Sequence, residues 1–340
     1  MNKKLFALAI ISAASAASAQ SSLTLYGVVD ASVESIKADD SVTRVSSDNL
    51  ASSRFGLKGT EDLGGGLKAL FNLEASLKTD TGAADSTRFF GRQAWVGLSG
   101  GFGELRLGRT DSSIGALAGN TGILGAQDYD DFKIAKTLAG DKYRRVDNSI
   151  TYFLPKLVNG LTAQVQYSAQ FNGSEIAGNK TGRLYGLNAQ YAAGGFGAGA
   201  AYLEAKTNNV GGKDKSALAY LSYDFSVAKV TGYYNRNASA TLEGARELFG
   251  ARFDVPLGNA FALQASVSRA RDYGDERTDA DSTIVALKGI YSLSKRTSVY
   301  ALATTVSNGD NANIKVGSSA PTLTDGERAS GFALGVSHKF

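Results

Sequence analysis

The feature that most constrains this 340-residue chain is an alternation of apolar and polar residues with a period of two, repeated along nearly its whole length. Leu23, Leu25, Val29, Ala31 and Val33 share one parity; Thr24, Tyr26, Asp30, Ser32 and Glu34 share the other. The pattern returns at Leu67, Ala69, Phe71, Leu73 and Ala75 against Lys68, Asn72, Glu74 and Ser76. It returns again at Leu161, Ala163 and Val165, and at Phe249, Ala251 and Phe253. A helix would scatter each set around its circumference, whereas a strand sends alternate side chains to opposite faces. Sixteen such segments can be drawn, three of them (near 196–205, 217–225 and 229–236) with weak alternation.

Short and long connections take turns between these segments. The short ones carry tight-turn chemistry: Gly64-Gly65-Gly66, Gly100-Gly101, Asn159-Gly160, Gly194-Gly195 and Gly258-Asn259. The long, polar ones cover 35–50, 78–88, 110–143, 170–182, 205–216, 236–246, 270–281 and 307–329. This is an up-and-down meander whose two ends differ, the signature of a membrane barrel with short periplasmic turns and long outer loops. No linker or low-complexity tract divides residues 20–340, which read as a single domain.

Residues 1–19 read as a signal peptide. Lys3 and Lys4 form a basic start, Leu5 to Ile11 an apolar stretch, and Ala17-Ser18-Ala19 a small-residue cleavage site. Their loss removes two of 36 basic residues and leaves 34 against 32 acidic, a net charge of +2. That is too small to suggest a nucleic-acid partner. The absence of Cys removes disulfide scaffolds, zinc ribbons and cysteine nucleophiles. A single His, His338, leaves almost nothing for a Ser-His triad or a histidine metal site, so neither cofactor, metal nor enzymatic activity is expected. Beyond the leader no run of large apolar residues is long enough for a membrane-spanning helix.

Glu74, Lys78, Arg92, Arg106, Arg252 and Lys288 fall on the polar parity. In a membrane barrel they would face a water-filled lumen; in a soluble or surface-anchored β-sandwich adhesin they would cover a solvated face. Periodicity alone does not separate the two. The chain's end favours the membrane, with Phe332, Leu334, Val336, His338 and Phe340 on one parity. Tyr152, Phe153, Tyr167, Tyr191, Phe253 and Tyr291, near strand ends, suit an interfacial aromatic girdle.

The motifs resemble those of Gram-negative general-diffusion porins of the β-proteobacterial type. They are Leu23-Thr24-Leu25-Tyr26-Gly27, Ser53-Arg54-Phe55-Gly56-Leu57-Lys58-Gly59-Thr60-Glu61-Asp62-Leu63-Gly64, Arg92-Gln93-Ala94-Trp95-Val96-Gly97-Leu98, Leu107-Gly108-Arg109, Asn148-Ser149-Ile150-Thr151-Tyr152 and the terminal Phe340. The resemblance implies an all-β fold, a 16-stranded antiparallel transmembrane barrel with an inward-folded third loop. It also implies a homotrimer in outer-membrane lipid, passing small hydrophilic solutes and ions, and a terminal Phe340 read by the barrel assembly machinery. Family ladder positions fall on Arg54, Arg92 and Arg145, with Lys58 on the same side. Parity sets Arg54 against Phe55 and Leu57, and Arg92 against Trp95; Arg145 shares a face with Ser149 and Thr151. Strand spacing puts Arg54 and Arg145 roughly 20 Å apart around one wall. Loop 110–143 is the candidate constriction. Its acids Asp128, Asp130 and Asp131 either oppose the basic wall or sit on a loop tip. Because the basic positions match the family better than the acidic ones, weak anion preference is expected.

Overall fold

The computed structural model describes residues 21–84, 87–120, 127–138, 142–171, 181–207, 212–240, 245–271, 280–317 and 320–340; residues 1–19, expected to be a signal peptide, lie outside the described residues. The alternation becomes an inverted burial pattern. On β1 (Ser22–Lys37) Asp30, Ser32 and Glu34 are buried, while Leu23 and Leu25 are 70% and 61% exposed. A soluble sandwich would show the opposite, because burying charge while wetting large aliphatics is unfavourable in water. Facing lipid outside and a polar interior, the same pattern is favourable. No helix among the described residues is long and apolar enough to cross a membrane.

Seventeen strands among the described residues make one antiparallel sheet. After β1 come β2 (Ser41–Ser47), β3 (Arg54–Gly64), β4 (Leu67–Ser76), β5 (Gln93–Gly100), β6 (Gly103–Asp111), β7 (Arg145–Phe153), β8 (Leu161–Ser168) and β9 (Leu184–Ala193). The wall continues through β10 (Phe196–Lys206), β11 (Lys213–Asp224), β12 (Lys229–Ala238), β13 (Ala245–Leu257), β14 (Phe261–Arg271), β15 (Ser282–Ser292), β16 (Thr297–Asn308) and β17 (Ala329–Lys339). Both β2 and β3 pair with the same edge of β1, β2 along Ala31–Lys37 and β3 along Ser22–Val28. They are two halves of one wall position, so the barrel has sixteen. Its ring closes where β17 pairs with the other edge of β1, from Val28↔Lys339 to Lys37↔Ser330. Closure leaves no unpaired strand edge.

At this seam Gly27 and Phe340 exchange two backbone hydrogen bonds of 3.1 Å each. The Phe340 ring lies where a Cβ on residue 27 would be, so only glycine fits there. Two sequence expectations change. The span 35–50, read as a loop, is mostly strand: β1 runs on to Lys37 and β2 returns from Ser41, raising a hairpin above the wall. Phe153, read as a girdle residue, shares the inward face with Ser149 and Thr151, with the Arg106 guanidinium 4.4 Å from its ring centre. The three weakly alternating segments are the strands β10, β11 and β12. Outward Ala198, Ala200, Ala217 and Ala219 and inward Leu203, Leu218 and Tyr233 blunt the hydropathy contrast between the two faces without disturbing the pleat.

The described residues between β6 and β7 pack on inward faces of the wall. Helix α1 (Ser113–Asn120) packs on the inner faces of β8–β11, where the Ser113 N–H donates to Gln166 Oε1 at 3.0 Å and Asn188 Nδ2 donates to the Ser113 carbonyl at 2.6 Å. A short 3-10 turn (Gln127–Tyr129) and helix α2 (Asp131–Ile134) follow. Tyr129 donates to Glu34 Oε2 of β1 at 3.1 Å, and the Leu138 N–H donates to Asn237 Oδ1 of β12 at 3.2 Å. Tyr143 donates to Asp214 Oδ2 of β11 at 2.7 Å. Ile114, Leu117, Tyr129 and Phe132 are fully buried, each burial contributing about 1.5–3 kcal/mol towards holding the segment across the lumen.

Candidate functional site

One wall of the lumen carries a concentrated positive charge. Arg54, at the start of β3, donates to the Ser52 carbonyl at 2.8 Å, and its Nε lies 3.5 Å from Glu74 Oε2. Arg92, just ahead of β5, donates from Nε to Glu74 Oε1 at 2.6 Å. Glu74 therefore sits between two guanidiniums, and the Tyr26 hydroxyl donates to it as well, at 2.9 Å. Arg145, at the start of β7, pairs with its cross-strand partner Asp111 at 3.3 Å. Arg54, Glu74, Arg92, Asp111 and Arg145 line one cavity of about 260 Å3 together with Asn72, Gln93, Trp95, Arg106 and Arg144. Five guanidiniums face two carboxylates there, an excess of three positive charges.

Local structure explains the convergence. A bulge between Gly108 and Thr110 shifts the β6–β7 register, with Gly108 at φ 132 and Asn148 at φ 49. A Cβ on residue 108 would run into the Ala94 carbonyl oxygen, so the bulge depends on glycine. Bulges re-aim side chains, and here Arg109 swings to pair with Asp147 while Asp111 and Arg145 are set opposite each other. Arg54 and Arg145, separated by four strand spacings in the backbone, line the same cavity.

The contrast of Arg92 against Trp95 does not hold. Register pairs Trp95 with Asn72, on the inward face, while Arg92 precedes the strand and escapes its alternation. Trp95 donates from Nε1 to Gln93 Oε1 at 3.0 Å, and the Arg106 guanidinium lies 4.2 Å from its ring centre. This cation–π stack, with the 2.5 Å pair to Glu104, fixes Arg106 on the wall. Arg106 and Arg144 were missed as site residues. Arg106 carries the polar-parity signal; Arg144 carries only its adjacency to Arg145. Lys58 lies lower on the inner face of β3, its ammonium 5.2 Å from the Tyr26 ring centre and outside the arginine cavity.

The loop acids are placed elsewhere. Asp128 accepts from Lys133 at 2.5 Å. Asp130 caps α2, accepting from the Phe132 and Lys133 N–H groups. Asp131 is buried and accepts from the Tyr233 hydroxyl. Burial, reinforced by the neighbouring Asp130 charge, raises its carboxyl well above the usual carboxylate range. Asp130 and Asp131 line a smaller cavity with Arg252 and Lys288, on the β13–β15 side. The carboxylates beside Arg54, Arg92 and Arg145 are instead Glu74 and Asp111. His338 stands on the outward parity of β17 with Nδ1 2.9 Å from Thr297 Oγ1.

Comparison with known proteins fits this geometry. Residues 6–311 match the Gram-negative porin family. Outer membrane porin protein 32 of Delftia acidovorans is 32% identical, with both chains covered in full. An outer membrane porin protein of Bordetella pertussis is 29% identical over 91% of this chain and 95% of its own. Among solved structures, an anion-selective porin from Comamonas acidovorans superposes with a TM-score of 0.78 at 27% identity, covering 94% of this chain and 100% of that one. A closed sixteen-position barrel, polar within and apolar without and matched along its length by such relatives, is a channel rather than an adhesin or an enzyme: the chain belongs to the Gram-negative porin family and forms an outer-membrane pore.

Proposed function

We propose that the mature chain, freed of residues 1–19, passes small hydrophilic solutes and ions with a preference for anions, and that Arg54, Arg92, Arg145, Arg106 and Arg144 set that preference. The excess of three positive charges in one cavity carries this reading. Guanidiniums stay charged at any working pH, and low-dielectric walls focus their field along the lumen. The related Comamonas protein is an anion-selective porin, which supports the same sign here. Lys58 adds charge at the lower mouth. Asp128, Asp130 and Asp131 act on conduction through the position of the loop rather than as free pore charges. Reversal potential across a planar bilayer under a potassium chloride gradient tests the reading. An anion-signed potential that shrinks in concentrated salt supports it, and a cation-signed one refutes it.

Three barrels assemble as a homotrimer in outer-membrane lipid. Support comes from the outward face of β1–β6, which is aliphatic at Leu23, Leu25, Val33, Val45, Val96 and Leu98. Exposed tyrosines such as Tyr167, Tyr185, Tyr202, Tyr223 and Tyr291 stand instead on β8–β15. Girdle aromatics belong where protein meets lipid headgroups, so the aliphatic face suits a second copy. Phe340, whose ring seals the β1–β17 seam, is the residue read by the barrel assembly machinery.

A further inference from the structure

The connection between β16 and β17 stands outside the strand ladder, yet part of it is buried as deeply as the barrel's core. Among its described residues Ile314, Val316 and Leu323 are buried, while Asn313, Thr324 and Asp325 are exposed. The wall beneath is apolar to match: Ile36, Val306 and Ala329, on the inward faces of β1, β16 and β17, are fully buried. Inward positions further from the loop, among them Ser32, Glu34 and Thr304, are polar. An inward aliphatic in an open mouth would be wetted, so the change of chemistry follows what the loop covers.

Hydrogen bonds fix this loop at its base and its tip. Asn308 accepts from the Ile314 N–H at 3.1 Å and donates to the Glu327 carbonyl at 2.8 Å. Thr324 donates to the Asp39 carboxylate, at the tip of the β1–β2 hairpin, from its N–H at 3.0 Å and its hydroxyl at 2.9 Å. The loop so fixed reaches the segment after α1. The Gly317 N–H donates to the Asp128 carbonyl at 3.1 Å. A Cβ on Gly331 of β17 would meet the Val316 methyl at 2.7 Å and the Tyr129 ring at 2.9 Å, so both side chains close over the same glycine. Tyr129 is held from the wall as well, by its hydroxyl on Glu34 and by Thr304, which donates to its carbonyl at 3.4 Å.

We propose that Val316 and Gly317 are positioning residues for the pore: through Tyr129 and Asp128 they hold the 3-10 turn and α2 in one place, so that the last outer loop sets how steadily the channel conducts. The inference rests on the reading above that the position of loop 110–143 acts on conduction. A segment held only from the wall side would open locally more often, because local opening follows the contacts that close it. The steadiness of the pore then depends on a loop that stands open to the outside.

Single-channel recording of the full-length mature protein in planar bilayers tests the proposal. Val316→Ala withdraws the contact with Tyr129 and leaves every strand intact, so brief transitions between current levels should become about tenfold more frequent. Tyr129→Ala, which also loses Glu34, should raise them at least as much. Adding Val316→Ala to Tyr129→Ala should then change the frequency by less than about twofold, because residues that act through one contact do not add. The temperature at which the unboiled gel band shifts should stay at the parent value in Val316→Ala. A quiet Val316→Ala channel beside a noisy Tyr129→Ala channel would overturn the proposal alone; quiet traces from both would refute as well the reading on which it rests. A full tenfold increment on the Tyr129→Ala background would overturn it, since Val316 would then act elsewhere. So would a higher conductance without added transitions, which is what a wider mouth alone gives, or a lowered shift temperature, which would make the loop a brace for the whole barrel.

Discussion

Replacing Arg54, Arg92 and Arg145 together by Gln should collapse the anion preference, by an amount that follows from the cavity. Five guanidiniums and two carboxylates line it, and the substitutions leave Arg106 and Arg144 against Glu74 and Asp111, so the excess falls from three charges to none. An ion passing roughly 8 Å from one guanidinium gains about 0.5 kcal/mol in water, reduced to about 0.2 kcal/mol by screening at 0.1 M salt. Three such charges give about 0.7 kcal/mol to an anion and withhold as much from a cation. The permeability ratio should therefore fall about tenfold at 0.1 M, since 1.4 kcal/mol is a factor of ten. At 1 M, with a screening length of about 3 Å, the same change should be less than twofold. Gln keeps a donor for Glu74 and Asp111, so trimer yield should not change. Reversal potentials in planar bilayers at both salt concentrations read the effect. A ratio unmoved in dilute salt would show that these side chains do not govern the constriction, and a shift equal at both concentrations would show that its origin is not electrostatic.

Deleting Phe340 should lower the outer-membrane yield while the channels that do assemble conduct normally; normal yield would remove its assembly role. Substituting Gly27→Val, which forces a side chain into the Phe340 ring, should loosen the same seam and lower the temperature at which the unboiled gel band shifts. Asp131 supplies a pH test. Burial raises its carboxyl to about 8, so the folded chain keeps a proton that the unfolded chain releases near pH 4. Its contribution to stability is whole below about pH 4, declines as pH rises, and is gone above about pH 8. The fall in thermal stability between pH 5 and 8 should thus be smaller in Asp131→Asn than in the parent; identical profiles would refute the assignment. Circular dichroism of the detergent-solubilised protein should be dominated by strand, and a helical spectrum would contradict the barrel.

Much of this protein is legible in one dimension because a strand translates sequence parity directly into sidedness. Asp30, Ser32 and Glu34 against Leu23, Leu25 and Val33 separated one face from the other without any partner strand being known, and the turn glycines told one end of the barrel from the other; which face turns inward was decided by the closed ring. Parity fails wherever the backbone leaves the pleat. Arg92 stands one residue before its strand and Arg145 lies on the far side of the β6–β7 bulge from Ser149, so alternation misassigned Trp95 and could not say that arginines four strand spacings apart meet in one cavity. Loop 110–143 has no period at all, and its length and acids could be read but not their partners. Asp128 and Asp130 find local partners in Lys133 and a helix end, whereas only the closed ring brings Tyr233 to Asp131 and Glu34, Asp214 and Asn237 to Tyr129, Tyr143 and Leu138. Local alternation is a property of each strand by itself, whereas the position of a long side chain or a folded-in loop depends on residues a hundred positions away that only closure makes neighbours.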